Sequence, residues 1–354
     1  MKRYPQLDAI RGLAVLLVLV HNTDRTSYTG FIARNGWMGV DLFFVLSGFL
    51  ITGILLSTKE NAGYFRNFYA RRCLRIWPLY FAALLFMFAL VPLVRPSEAR
   101  RIFDARSMPW WSYLVFLQNF FVPVVTKATG LLGVTWSLAV EEQFYLVWAI
   151  VVRFCSESQL RKIAISIICL SPVLRFYLLH RHFYIYPNTF CRLDGLMAGS
   201  LLAMLWGSGA FKPQIYVKWA WLVLAIASPL AVMTASRSEA LVYSFTSLAS
   251  VALVYLAMCS KQQWLQAVLA NRFLVYTGTI SYGIYLLEKI PIDAAQSLHL
   301  DGHPLIVLPV AALTTYVLAI ISWNVLEKPF LKLKRLFEWK APEPVQEQVL
   351  AQAC

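Results

Sequence analysis

The chain has 354 residues, 59% of them hydrophobic and only 14% charged, with a mean hydropathy of +0.60. Soluble domains run at about 45–50% apolar and about 25% charged residues, so a water-soluble globular or disordered chain is excluded. The formal net charge of +14 does not mark a nucleic-acid binder. The basic residues fall between tracts apolar enough to cross a bilayer, which leaves no soluble domain to grip a polyanion.

A hydrocarbon core of about 30 Å takes roughly 20 mostly apolar residues in a helix. Ten stretches qualify: 7–23, 38–57, 77–94, 132–152, 163–180, 190–208, 217–234, 240–259, 274–292 and 304–326. The expected fold is all-α, a polytopic transmembrane helix bundle of about ten spans. One membrane domain covers 1–340, and the polar, Pro-containing tail 341–354 is expected to be disordered. The start, MKRYPQLDAIRGLAVLLVLVH, has the basic and apolar regions of a signal peptide. Asp8 and Arg11 interrupt it and no small-residue cleavage site follows, so it reads as a retained first span. The aromatic segment PWWSYLVFLQNFFVP (109–123) is too short to span and is expected in the interface or folded back on the bundle.

Lys and Arg concentrate in alternate loops, which places both termini on the cytoplasmic side. The loop 95–131, with Arg95, Arg100, Arg101, Arg106 and Lys127, breaks that pattern. The six cysteines, Cys73, Cys155, Cys169, Cys191, Cys259 and Cys354, form no CxxC, and most sit in apolar tracts. Neither a disulfide framework nor a metal site is expected.

Ionisable side chains inside spans cost several kcal/mol unless they meet a partner or a polar cavity, so they are candidates for function. In LDAIRGLAVLLVLVHN (7–22), Arg11 lies near the cytoplasmic end of the first span. His21 follows ten residues, or about 15 Å, later and suits general-base work on a hydroxyl. Asp41 opens the second span, where it orients a base or substrate or simply answers the helix dipole. Gly36, Gly39 and Gly48 around it remove bulk, for a neighbouring helix or for a ligand. FYARRCLRIWPLY (68–80) sets Arg71, Arg72 and Arg75 at the cytoplasmic entry of the next span. Guanidinium groups there suit phosphates, although positive-inside topology alone explains part of the charge. TWSLAVEEQFYLVW (135–148) buries Glu141 and Glu142, which point about 100° apart on a helix. Finally, Arg192 and Asp194 open a span from the outer side, and with Arg11, His21, Asp41 and Glu142 they are expected to line one polar cavity.

In order and wording these blocks resemble acyltransferase family 3, the integral membrane O-acyltransferases. The resemblance runs from LDAIRGLAVLL through GVDLFFVLSGFLI (39–51), FYARRCLRIWPLY, TWSLAVEEQFYL and GTISYGIYLLE (278–288) to WNVLEKPFLKLKR (323–335). It implies a ten-helix bundle that takes an acyl group, commonly acetyl, from a cytosolic donor. The acceptors it implies are hydroxyls of lipopolysaccharide, peptidoglycan, exopolysaccharide or small lipids. Some relatives carry a further periplasmic esterase-like domain; this chain ends soon after its last span and is expected to lack one. It departs from the family at two positions. The first-helix arginine and histidine are usually i and i+11, within about 20° on one face. Here His21 stands at i+10, about 80° away, and Asn22 takes the usual place, so that either a local bulge realigns His21 or Asn22 contributes in its stead. Glu288 stands where relatives often have histidine.

The resemblance and the buried charges together give an expected reaction. Arg71, Arg72 and Arg75 hold the phosphates of acyl-CoA, most simply acetyl-CoA, which is a co-substrate; no bound cofactor is expected. His21, oriented by Glu142 or Asp41, takes the proton of an acceptor hydroxyl on an envelope glycan or lipid-linked saccharide. Arg11 or Arg192 answers the oxyanion, while Arg192, Asp194, Asn22 and Glu288 contact substrate. A covalent acyl-enzyme through Ser47, Tyr145 or His21 is open, since no pattern in the sequence selects one. The rival class is a transporter of a small anionic or glycan substrate, against which stands the lack of repeated halves.

Overall fold

Polar residues placed mid-helix in an apolar chain decide how this bundle packs. A computed structural model describes residues 4–24, 29–90, 93, 109–121, 131–207, 213–297 and 304–339. In chain order its helices are α1 (Pro5–Thr23), α2 (Phe31–Asn35), α3 (Met38–Thr58) and α4 (Tyr64–Leu85), which runs on through a π-helical turn, Phe86–Leu90. They continue with α5 (Trp110–Leu114), α6 (Thr135–Phe154), α7 (Glu157–His180), α8 (Thr189–Gly207), α9 (Val217–Ala235) and α10 (Glu239–Cys259). The last are α11 (Gln263–Leu269), α12 (Arg272–Thr279), α13 (Ser281–Leu287), α14 (Lys289–Ser297), α15 (Pro304–Ser322) and α16 (Lys328–Lys332). Among the described residues there is no strand.

Six helical stretches are long and apolar enough to cross a membrane: Met38–Thr58, Tyr64–Leu90, Glu157–His180, Gln214–Ala235, Glu239–Cys259 and Leu305–Phe337. That makes the chain a multi-pass membrane protein, but it does not confirm about ten spans. The helices α1, α6 and α8 have the length, at 19, 20 and 19 residues, and are diluted by the polar groups they carry. The stretch 274–292 is not one span. It is cut into α12, α13 and α14, and the second break falls where Pro291 has no N–H for the Leu287 carbonyl and crowds it. Nor does the arginine cluster precede its span: α4 starts at Tyr64, so Arg71, Arg72 and Arg75 lie well inside the helix. The tail 341–354 and most of the basic loop 95–131 lie outside the described residues.

Backbones touch where glycine permits. A Cβ on Gly48 would sit 1.9 Å from the Leu196 carbonyl oxygen, and one on Gly199 2.0 Å from that of Val45, so α3 and α8 cross with no side chain between them. The same reciprocity joins α1 to α12, through Gly12 against Leu274 and Gly278 against Asp8. Gly39 against Ala14 and Gly36 against Leu17 hold α3 antiparallel to α1. In lipid, where apolar surface gains little by leaving the solvent, such close packing supplies much of the association energy.

One face of the bundle gathers the starts of α1 and α4, the ends of α3 and α6, and the segment 333–339. There the Tyr64 hydroxyl donates to the Ala149 carbonyl (3.0 Å), Lys59 Nζ to that of Cys155 (2.6 Å), and Asn67 Nδ2 to that of Glu338 (3.2 Å). We call it the basic face; both described ends of the chain lie on it. On the opposite face the 109–121 segment folds back on the bundle. Phe116 stacks on Tyr80 at 4.7 Å, Gln118 Nε2 donates to the Thr135 carbonyl (3.0 Å), and Asn119 Nδ2 to Thr189 Oγ1 (2.8 Å). Trp110 and Trp111 remain exposed, and of the two sequence expectations the structure shows the packing back on the bundle.

Overpacking a tight contact costs about 1–3 kcal/mol or more. Gly48→Ala is therefore expected to lower the detergent melting temperature by several degrees. Gly53→Ala, with nothing within 4 Å of its new Cβ, should not. Fluorescence-detected thermal unfolding of the two variants beside the wild type checks this.

Candidate active site

A cavity opens between α1, α3, α4, α6 and α13. Its empty space is about 900 Å³, open solvent at the mouth included. Helical spacing explains who reaches it. Arg72 and Arg75 are i and i+3 on α4, and Glu141 and Tyr145 are i and i+4 on α6, so each pair shares a face. Arg11 enters from α1, Ser47 from α3, and Ser281, Tyr282 and Tyr285 from α13. Glu142, rotated about 100° from Glu141, is not in the lining and stands beside Trp77.

Within the cavity Glu141 is the carboxylate. Ser47 Oγ donates to its Oε1 at 2.5 Å and the Tyr145 hydroxyl to its Oε2 at 3.1 Å. The Arg72 guanidinium lies 5.7 Å from the Tyr145 ring centre. Arg11 Nη1 donates to Asp8 at 3.2 Å, and the charged neighbours of Arg75 include Arg11, Arg72, Glu327, Asp8 and Lys334. Three guanidinium groups and one carboxylate in the lining leave a cationic interior, where low dielectric strengthens its pull on an anion.

A second cavity, about 1400 Å³ of empty space with open solvent included, lies on the basic face. Arg71, Arg72, Lys334, Glu338 and Trp339 are among its walls. Arg71 is braced there, donating to the Phe337 carbonyl (3.2 Å) with its guanidinium 5.0 Å from the Trp339 ring centre. Arg72 belongs to both cavities and forms the partition between them.

The other residues named from sequence do not join this site. Asp41 and Arg192 form a buried ion pair at 2.8 Å, with the Arg192 guanidinium 3.9 Å from the Tyr243 ring centre. Asp194 pairs instead with Arg175 at 2.9 Å, and Arg175 also donates to the Ala240 and Cys191 carbonyls and to Ser244. All four charged groups are at most 2% exposed. His21 Nδ1 donates to the Ala33 carbonyl at 2.5 Å, and His21 packs on Gly36, one turn beyond Val40 at the cavity wall. Helix α1 is continuous from Pro5 to Thr23, so no bulge realigns His21 with Arg11. Asn22 keeps the i+11 place, and its Nδ2 donates to Glu288 Oε1 at 2.5 Å. The two departures from the family pattern are thus bonded to each other. The single cavity expected for Arg11, His21, Asp41, Glu142, Arg192 and Asp194 does not form: Arg11 alone of them lines it.

Sequence reasoning underweighted Ser47, Glu141 and Tyr145. The signal was the i, i+4 placement of Glu141 and Tyr145, which the adjacent Glu142 obscured. Lys334 reads from sequence only as one of the basic loop charges, and no pattern singles out Trp339. Among the described residues, no group of three or more His, Cys, Asp or Glu could hold a metal ion.

The acyltransferase domain of acyltransferase family 3 matches residues 4–324, and the chain belongs to that family. It is similar to a Staphylococcus aureus (strain COL) protein provisionally named an O-acetyltransferase, 27% identical over 94% of this chain and 58% of that one. It is 29% identical to YrhL of Bacillus subtilis, provisionally named a peptidoglycan O-acetyltransferase, over 97% of this chain and 59% of the relative. Against the peptidoglycan O-acetyltransferase OatA of Listeria monocytogenes it is 29% identical over 94% and 56%. The chain therefore spans somewhat over half the length of these relatives. No solved structure matches it.

Removing one partner of a buried ion pair costs about 3–5 kcal/mol, because the other charge is left unanswered. Asp41→Ala and Arg192→Ala are each expected to lower the yield of folded protein sharply. The double variant should lose less than the sum of the two singles. Size-exclusion profiles and melting temperatures in detergent test the cycle, and additive losses would contradict the pairing.

Proposed function

We propose that the protein is a membrane O-acyltransferase. It takes an acyl group, most simply acetyl, from acyl-CoA at a cytoplasmic basic face and passes it to a hydroxyl of an envelope glycan or lipid-linked saccharide. The observation that carries this reading is the pair of cavities sharing Arg72. The outer one offers Arg71, Arg72 and Lys334 to the phosphates of the donor. The inner one is narrow and lined by Arg11, Arg75, Ser47 and Glu141, which suits a pantetheine arm and its thioester. With the basic face inside, both described ends are cytoplasmic, as the distribution of Lys and Arg requires. The membrane is then the bacterial cell membrane, by analogy with the named relatives.

The acceptor approaches from the opposite face. Exposed Trp110, Trp111 and Phe183 there, with Tyr184 and Tyr186 beside them, suit stacking on sugar rings. Peptidoglycan is the acceptor that the names of two relatives favour. Glu141 is the base of the transfer, because it is the carboxylate within the cavity and already accepts hydrogen bonds from two hydroxyls. Arg11 and Arg75, which line the inner cavity and not the outer one, answer the oxyanion, a contribution typically of about 3–4 kcal/mol for one good donor.

One observation favours a second base. A neutral His21 that donates from Nδ1 to Ala33 carries its lone pair on Nε2, the tautomer a base requires. The two assignments part in one assay, the transfer of radiolabelled acetyl from acetyl-CoA into glycan or lipid by membranes carrying each variant. Glu141→Gln is expected to lose on the order of 100-fold or more in rate, and His21→Ala far less. The reverse order would move the base to His21. Arg72→Ala should raise the KM for acetyl-CoA by roughly 10- to 100-fold, the worth of one charge-assisted contact to phosphate. An unchanged KM would take the donor site elsewhere.

A further inference from the structure

The inner cavity contains more hydroxyls than a direct transfer between two bound substrates uses, and their protons are not disposed alike. Thr135 Oγ1 donates to the Leu132 carbonyl, Ser281 Oγ to that of Gly278, Tyr282 to that of Ile76, and Tyr285 to that of Val134. Ser137 Oγ is tied to the Val134 carbonyl and to Tyr285. Only Ser47 and Tyr145 direct their protons at a carboxylate, and both choose Glu141.

Ser47 also directs its hydroxyl out of its own helix, as Thr52 does toward Ser200 on α8. A serine or threonine inside a helix commonly returns its hydroxyl to a carbonyl one turn back. Ser57 and Thr58 on α3 do so, both to Ile54. Ser47 instead reaches across to α6, 2.5 Å from Glu141 Oε1. Tyr145 holds the other oxygen of Glu141 from one turn further along α6, which fixes the carboxylate relative to Ser47. Nucleophile, base and a third group that orients the base are the parts of an activated hydroxyl, and cationic Arg11 and Arg72 share its cavity.

We propose that Ser47 is a catalytic nucleophile, and that transfer runs through an acyl ester on its Oγ with Glu141 as base. The proposal rests on the acyl-CoA reading above. In the first half, Ser47 Oγ attacks the thioester carbonyl carbon as its proton passes to Glu141. The tetrahedral oxyanion forms within the field of Arg11 and Arg75. Its collapse breaks the C–S bond, and the departing CoA sulfur takes the proton from Glu141. In the second half, an acceptor hydroxyl gives its proton to Glu141 and attacks the Ser47 ester. Ser47 Oγ leaves and recovers the proton. The sum is thioester plus alcohol to ester plus thiol, with no redox change and no further reactant. Donor and acceptor then occupy the cavity in turn, so one base serves both halves.

The test uses the purified full chain in lipid nanodiscs with [1-14C]acetyl-CoA and no acceptor, followed by acid quench and peptide mapping. The expected result is label approaching one acetyl per chain, located on Ser47 and resistant to neutral hydroxylamine. Ser47→Ala should carry no label and lose roughly 100-fold or more in transfer to membranes that supply acceptor. Ser47→Cys guards against a folding defect: it should take up label as a thioester that hydroxylamine releases. Ser47→Ala transferring at the wild-type rate overturns the proposal, as does label on Tyr145 or His21. If the wild type releases CoA and labels acceptor but never becomes labelled itself under rapid quench, the acyltransferase reading survives and the acyl-enzyme does not. If acetyl-CoA yields neither thiol nor label, both fall.

Discussion

A guanidinium group inside an apolar bundle must be answered, and the way this chain answers each one organises the rest of the protein. Arg175 is answered by Asp194, Ser244 and two carbonyls, and Arg192 by Asp41 and aromatic faces, although Nε and Nη1 of Arg192 are buried with no hydrogen-bond partner. They act as internal ties among α3, α7, α8 and α10. Arg11, Arg72 and Arg75 are answered only in part, by Asp8, Tyr145 and the carboxylates around them, and they stand along empty space. The distinction between tying and binding therefore follows from placement. An arginine enclosed by a carboxylate and aromatic faces has no room for a substrate, whereas one at a cavity wall does.

Six of the ten expected spans were legible because bilayer thickness imposes a length that composition reveals, and the family was legible because its blocks keep their order and wording. Boundaries failed where polar residues belong to a helix. The arginine cluster looked like a loop because three cations suggested water, yet it is covered by Tyr145 and by the returning segment at Phe337 and Trp339. The break between α13 and α14 was present in the sequence as Pro291, but averaged hydropathy passes over a single imino acid.

Residue type pointed to the right helices and only in part to the right residues. Asp41, Arg192 and Asp194 are as costly to bury as Glu141, so expense alone could not separate structural charges from exposed ones. Pairing does separate them, and pairing is a long-range property: Asp41 and Arg192 are 151 positions apart, and Ser47 and Glu141 are 94. Asn22 and Glu288, 266 positions apart, make the same point. Each looked like an isolated departure from a pattern, and together they are one hydrogen bond. Adjacent glutamates gave a further ambiguity, since the sequence fixes the 100° between Glu141 and Glu142 but not which of them faces the cavity.

The glycine crossings bear on how such a protein can diverge. At Gly48 with Gly199, and at Gly12 with Gly278, one backbone rests on another, so the angle and spacing of those helices owe little to the side chains around them. A scaffold held by main-chain contact behaves like a frame whose panels can be exchanged: the lipid-facing surface and most cavity walls are free to be rewritten while the joints stay put. Relatives only 27–29% identical to this chain align along 94–97% of it, which is the latitude such joints allow. New acceptor preferences could then arise by relining the interior, without refolding the bundle that encloses it.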